Sequence, residues 1–279
     1  PLQVTTEADD PTGNWRAVVK AGGATFSKTL KVETVKPNRL KVQLDFGGES
    51  LRNSNGSVAG DLQVNWLHGA PARNLKAVTE AVLKNQRTRF QKYGDYVFDD
   101  PARKYRGEAQ TIFDGQVDDQ GRARISASLV KNTRALPGRM RVSFRPRAFE
   151  NGGDFSEDNY RIDYDPFTAY AGVSIPKDQY RQKRLDIGEA QNIDLALVDV
   201  DGKPLANRGL EVGLYRVNWS WWWERDNSRI SRYNSSTHLN ALEKVSLRTN
   251  SRGLAQWPAK VERWERYLIR VCGPEAGQC

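Results

Sequence analysis

The sequence predicts an all-β protein built as tandem seven-stranded antiparallel β-sandwich domains, and three observations predict it. Apolar and polar residues alternate with period two in run after run. Gly, Pro, Asn and Asp punctuate those runs, as turns require. A unit of roughly 110–130 residues recurs, too long for a solenoid repeat and the size of an independent sandwich.

The elements follow in chain order. NWRAVVKAGG (14–23) alternates and stops at Gly-Gly; TFSKTLKVETV (25–35) alternates and stops at Lys36-Pro37; RLKVQLDFGG (39–48) repeats the pattern. NLKAVTEAVLKNQ (74–86) admits a helical reading, but its Val and Leu residues also suit a strand pair, and it is read as strand. GDLQVNWLHGAPARNLKAVTEAVL (60–83) then returns as IDLALVDVDGKPLANRGLEVGLY (193–215). Asp61, Leu62, Val64, Gly69, Pro71 and Asn74 align without gaps to Asp194, Leu195, Leu197, Gly202, Pro204 and Asn207. Downstream, FDGQVDDQGRARIS (113–126) matches VSLRTNSRGLAQWP (245–258), with Gly121 and Ala123 opposite Gly253 and Ala255. PGRMRVSFRPRAFENGG (137–153) parallels WERYLIRVCGPEAG (264–277), and both resemble the first run. Three copies of a terminal strand and two of what precedes it divide the chain: 1–36 as the last strands of a truncated domain, 37–168 as one sandwich, 169–279 as another. The first sandwich carries an insertion near 84–111 that the second lacks.

Composition narrows the function. Hydrophobic residues make up 38%, enough for packed cores, and 43 Lys+Arg against 34 Asp+Glu give a net charge of +9. That balance favours acidic partners. The basic residues are scattered rather than blocked, so no nucleic-acid partner is expected. There is no apolar run of membrane-spanning length and no signal peptide, and the chain reads as a piece of something longer. The histidines, His68 and His238, have no second ligand at metal spacing, so no metal is expected. Nucleophile-elbow, zincin, P-loop and dinucleotide motifs do not occur; no cofactor and no enzymatic activity are expected. Asp99-Asp100-Pro101 and Asp118-Asp119 are the acidic pairs, read as loop and hairpin-turn carboxylates rather than as glycosidase or calcium sites. Sequons stand at Asn55, Asn218 and Asn234 and matter only in a glycosylating host.

Two local features stand out. NWSWWWERDN (218–227) puts Trp219, Trp221, Trp222 and Trp223 within five positions. In a strand, Trp219, Trp221 and Trp223 share one face and Trp222 takes the other. Core, domain seam and sugar-binding platform are the readings such a run allows. The cysteines, Cys272 and Cys279, flank a Gly/Pro-containing stretch able to turn back, so a disulfide is expected, with two free thiols as the alternative. Closing that small loop contributes about 2.5 kcal/mol by chain entropy and fits an oxidising compartment.

KTLKVETVKPNRLKVQL, VNWLHGAPARNLKA, YVFDDPARKY, VDVDGKPLANRGLEVGLYRVNWSWWW and SRYNSSTHLN, in that order and spacing, resemble the macroglobulin-type domains of bacterial alpha-2-macroglobulins. The resemblance covers nearly the whole chain. It implies immunoglobulin- or fibronectin-III-like seven-stranded sandwiches strung together in a large periplasmic or cell-surface protease inhibitor, often lipid-anchored. In that family a bait segment is cut, the molecule rearranges, and in many members a Cys-Gly-Glu-Gln thioester captures the protease. Here Cys272 is followed by Gly-Pro-Glu and Gln278 precedes Cys279, so the thioester word is absent, as is a bait-like segment. The implied role is a frame. Its partners would be neighbouring domains of the parent and, through parts outside this stretch, attacking proteases; a membrane enters only through a lipid anchor of the parent. The alternative class is a surface adhesin or carbohydrate-binding array using the Trp219–Trp223 run. A frame needs stiff junctions, and Val-Lys-Pro-Asn-Arg and Tyr-Asp-Pro-Phe-Thr-Ala-Tyr are short and proline-containing. Aromatic inter-domain contacts are expected at Pro37 and at Pro166, the latter from Tyr164, Phe167 and Tyr170.

Overall fold

The computed structural model describes residues 5, 13–32, 38–52, 55–103, 105–177, 183–217, 241–274 and 278. Among these residues the regular structure is strand, with 3-10 turns at Gln91–Tyr93 and Thr133–Ala135. No helix of the described residues is long and apolar enough to cross a membrane. The chain divides into two compact units, Pro1–Arg39 and Leu40–Cys279. The tryptophan run, Pro37, His238, Asn218, Asn234 and Cys279 lie outside the described residues.

The first unit contains a hairpin of β1 (Gly13–Ala21) and β2 (Ala24–Val32) turning at Gly22-Gly23. The register sets Trp15 opposite Leu30 and Val19 opposite Phe26 on one face. Phe26 is 63% exposed there, and Val19 41%. A two-stranded ribbon with a solvated apolar face is marginal by itself. Its amides are therefore expected to exchange faster than those of the central strands of the second unit, as hydrogen exchange on the intact chain would show.

The second unit holds two sandwiches. The first comprises β3 (Leu40–Asp45), β4 (Ser50–Arg52), β5 (Ser57–Trp66), β6 (Lys76–Asn85), β7 (Gln110–Gln116), β8 (Arg122–Ser128), β9 (Met140–Phe149), β10 (Phe155–Glu157) and β11 (Tyr160–Asp165). One sheet runs β3-β5-β8; the other runs β4-β11-β9-β6-β7, with β10 also on β9. Seven of these strands are six residues or longer and antiparallel, and the short β4 adds a parallel pairing with β11. Alternation produces the layers: Leu40, Val42 and Leu44 of β3 are buried while Lys41, Gln43 and Asp45 are exposed. The 74–86 segment is strand for the same reason. Ala77, Thr79, Ala81 and Leu83 are buried at period two, and β6 lies between β7 and β9, which satisfy its backbone on both sides.

The second sandwich comprises β12 (Ala169–Ser174), β13 (Ala190–Asp199), β14 (Gly209–Arg216), β15 (Ala241–Arg248), β16 (Leu254–Lys260) and β17 (Tyr267–Cys272). Its sheets run β12-β13-β16 and β15-β14-β17, so six strands rather than seven appear among the described residues. Its core gathers Ile193, Leu195, Leu210, Val212, Leu214 and Trp257.

The internal repeat is a repeat of turn geometry. Pro71 bridges to Asn65, and Pro204 bridges to Val198. Asn74 and Asn207 both take φ of 53°, a left-handed conformation that Asn tolerates better than other side chains. Gly121 O accepts from Val64 N at 2.8 Å, and Gly253 O accepts from Leu197 N at 2.9 Å. Both glycines have positive φ, 71° and 70°, and a Cβ on Gly121 would sit 2.3 Å from Val64 O. The aligned glycines therefore close equivalent hairpins against equivalent strands.

Candidate functional site: the seam between the two sandwiches

The link from β11 to β12 is three residues, Pro166-Phe167-Thr168. Tyr164, Asp165, Pro166, Phe167, Ala169 and Tyr170 around it are all buried. Phe167 meets Tyr170 edge-on with centroids 5.8 Å apart, and Phe90 lies 5.7 Å from Tyr170. The core cluster of the first sandwich continues without a break through Phe167 and Tyr170 to Val198 of β13.

A buried ion pair sits in this aromatic cage. Arg139, just before β9, donates from Nε to Asp165 Oδ1 at 2.7 Å, and Tyr170 Oη donates to the same oxygen at 2.8 Å. The second arm of Arg139 reaches the other sandwich, donating from Nη2 to Val200 O at 2.9 Å. Its guanidinium also stacks over Phe90 and Tyr170, at 5.4 and 5.8 Å from the ring centroids. Burial works against the charge of Arg139, but the hydrogen bond and charge of Asp165 outweigh it and raise its pKa. Burial, then the negative charge of Asp165, push the Tyr170 phenol far up, so it stays a donor. Burial pushes Tyr164 up to about 12.

The second part of the seam is the 84–111 insertion, between β6 and β7. It is a strap that leaves the first sandwich and lies on the second. Thr88 closes a loop over residues 88–99 and ties it to the first sandwich: its N and Oγ1 donate to Asp99, and its Oγ1 accepts from Arg139 N at 2.8 Å. Asp100 N donates to Pro137 O at 2.7 Å. From that base the strap grips the second sandwich at three places. Val97 exchanges both backbone hydrogen bonds with Val173 of β12, at 2.9 and 3.0 Å. The Phe98 ring fills the space where a side chain at residue 172 would stand; a Cβ on Gly172 would be 2.5 Å from it. Asp100 Oδ2 accepts from both Nε, at 2.8 Å, and Nη2, at 2.7 Å, of Arg270 in β17, and the carboxylate is almost fully buried. Gln278 ties the pieces together by accepting from Ala171 N and donating to Phe98 O at 2.8 Å. Exposed pairs, Arg52 with Asp201 and Lys177 with Asp95, rim the contact and contribute little.

The acidic pairs named in the sequence are engaged in structural contacts. Asp99 and Asp100 are spent on Thr88 and Arg270; Asp118 Oδ1 accepts from Gln120 N and Arg122 N to form the β7–β8 turn. Among the described residues no three His, Cys, Asp or Glu are grouped to hold a metal. His68 stacks on Trp66 in its turn, centroids 6.3 Å apart. Arg139, Arg270, Phe90, Phe98 and Gln278 were not found by sequence reasoning. The visible signal was an insertion rich in aromatics, RFQKYGDYVFDDP, in place of ordinary loop residues.

Two expected outcomes follow. Asp100→Asn keeps the shape of the acid but removes the negative charge that faces Arg270 and Arg103, so stability should fall by about 1.5–3 kcal/mol in urea unfolding. Burial raises the pKa of Asp99, with the Thr88 hydrogen bonds opposing. A carboxyl whose folded pKa lies above its unfolded value binds its proton more tightly when folded. It therefore withdraws stability as pH rises from about 3.8 through the folded value. Asp99→Asn should flatten that part of the stability–pH curve, measured as Tm against pH.

Two family models match the chain. "Bacterial Alpha-2-macroglobulin MG5 domain" covers residues 38–157, and "Bacterial macroglobulin domain 6" covers 172–279. An alpha-2-macroglobulin homolog of Yersinia pestis is 22% identical over 262 residues, 90% of this chain and 13% of that protein. The alpha-2-macroglobulin of Escherichia coli K12 is 22% identical over 282 residues, 96% of this chain and 17% of that protein. The chain thus spans less than a fifth of the curated relatives it matches. Among solved structures, the native conformation of E. coli alpha-2-macroglobulin aligns with TM-score 0.61 at 19% identity, over 97% of this chain and 17% of that one. The trypsin-activated form from E. coli aligns with TM-score 0.59 at 20% identity, over 96% of this chain and 18% of that one.

Proposed function

Because the chain belongs to the bacterial alpha-2-macroglobulin family, carrying two of its macroglobulin domains, we propose that it is a frame segment of a protease inhibitor that traps attacking proteases after bait cleavage. The observation that carries this reading is the seam. A buried Arg139–Asp165–Tyr170 cluster and a strap gripping three places make two sandwiches move as one body. Such a body transmits a displacement that a Gly/Ser linker would absorb. The fold's likeness to both a native and a trypsin-activated relative, at TM-scores of 0.61 and 0.59, supports a segment that keeps its fold while its surroundings change.

The test is made in the parent protein. Loosening the seam with Arg270→Ala should leave the rate of bait cleavage by trypsin unchanged and lower the fraction of protease retained. Unchanged retention would count against a transmitting role. The periplasm or cell surface is the proposed location, and a Cys272–Cys279 disulfide belongs with it. The antiparallel bridge of Gly273 to Gln278 supports that pairing, since it brings the neighbours of both cysteines together. Thiol titration of unreduced protein finding two reactive sulfurs would reject it.

A further inference from the structure

Asp100 lies between two arginines. Its Oδ2 accepts from Arg270 of β17, and Nε of Arg103 stands 3.4 Å from the same oxygen. A good N–H···O bond spans about 2.7–3.2 Å, so Arg103 is attracted to the carboxylate without being bonded to it. Its Nη1 is buried and, among the described residues, has no hydrogen-bond partner. A buried donor left unmatched costs the docked seam free energy. Burial, then the charge of Arg270, push the pKa of Arg103 down, with Asp100 opposing. Two cations therefore compete for one carboxylate whose side chain is 4% exposed, and the one from the second sandwich holds it.

The two arginines reach Asp100 by different routes. Arg103 is placed by local chemistry. In Asp100-Pro101-Ala102-Arg103 the Arg103 N donates to Asp100 O at 3.1 Å, and Ala102 N donates to Asp100 Oδ1 at 3.0 Å, a turn with Pro at its second position. That turn hangs on the first sandwich, through Asp100 N to Pro137 O on one side and Asn85 Nδ2 to Tyr105 O on the other. None of these contacts involves the second sandwich. Arg270 arrives from 170 residues away. A cavity of about 240 Å³ beside β17 is lined by both Asp100 and Arg270, which leaves the Arg270 side chain room to withdraw.

We propose that Asp100 is a two-position latch: Arg270 holds it while the strap is docked on the second sandwich, and Arg103 takes it when the strap lifts. This goes beyond the frame role, which concerns the docked seam; the latch sets where the seam yields and recloses. Lifting the strap breaks the Val97–Val173 pair and withdraws Arg270. Without a second cation that step would strand a carboxylate in the base of the strap, and an uncompensated charge there opposes it. Arg103 removes the obstacle. On lifting it gains the hydrogen bond it lacks when docked, and Arg270 passes to water. Arg103 thus favours the lifted strap over the docked one, although it pairs with Asp100 in the docked form.

Amide exchange at Val97 and Val173 reads the lifted population, because each amide is bonded to the other residue's carbonyl. It is measured on the full chain, relative to the core amides of Ala81 and Val142, in the unchanged protein, Arg103→Met, Arg270→Met and the double variant. Arg103→Met should slow exchange at both positions by about threefold or more, the scale of one hydrogen bond. A partner that merely strengthened the docked seam would speed exchange when lost. Arg270→Met should speed exchange, and by about tenfold more in the Arg103→Met background, where Asp100 is docked with no cation at all. Arg103→Gln, which removes the charge and keeps a polar end, should slow exchange as Arg103→Met does. Unchanged or faster exchange in both Arg103 variants overturns the latch, and so do Arg270→Met effects that are equal in the two backgrounds.

Discussion

Asp165→Ala is expected to lower the unfolding free energy of Leu40–Cys279 by about 3–5 kcal/mol, since it leaves a buried guanidinium without its counter-charge. The pair is largely shielded from water, with the Asp165 side chain 3% and the Arg139 side chain 17% exposed. Removing the carboxylate also takes away Asp165 Oδ1, the acceptor of the Tyr170 hydroxyl. Folded domains have about 5–15 kcal/mol to lose, so the effect is a large share of the whole. Urea unfolding followed by tryptophan fluorescence measures it. Tyr170→Phe removes one hydrogen bond and keeps the aromatic packing, and should cost only about 0.5–1.5 kcal/mol. If the two variants are equally mild, the ion pair is not what holds the seam.

Phe98→Ala is expected to cost about 3–5 kcal/mol as well, by a different route. The ring is 1% exposed and packs between Phe90, Tyr93 and the face opened by Gly172. Its removal leaves a hole adjoining the cavity beside β17. The loss should be local first. The strap's hold on β12 through Val97 and Val173 should open, so that limited proteolysis cuts within 86–109 while both sandwiches stay folded. Gly172→Val is the reciprocal test, because its side chain must displace the same ring. Similar strap cleavage in both variants, with intact sandwiches, is the pattern that a docked strap requires.

The repeat was legible because it lies in turn chemistry. Asn74 and Asn207, and Gly121 and Gly253, hold backbone conformations few residues accept, so the same letters return at the same spacing. Strand faces were legible because alternation is local. The strap was not. Val97, Phe98 and Asp100 contact residues at 173, 172 and 270, and nothing near them in sequence names those partners. Tyr164, Phe167 and Tyr170 were visible as aromatics around Pro166, but the charge they enclose depends on Arg139, which reads as one of many scattered basic residues.

Alternation, turn residues and the repeated spacing by themselves determined that this chain is β-sheet in successive sandwich-sized blocks. These are interactions between neighbours, written within a few residues of each other. Which insertion clasps which sandwich and where a buried charge finds its partner were decided only by tertiary structure. Those outcomes depend on groups dozens to hundreds of residues apart meeting in a place that water cannot reach.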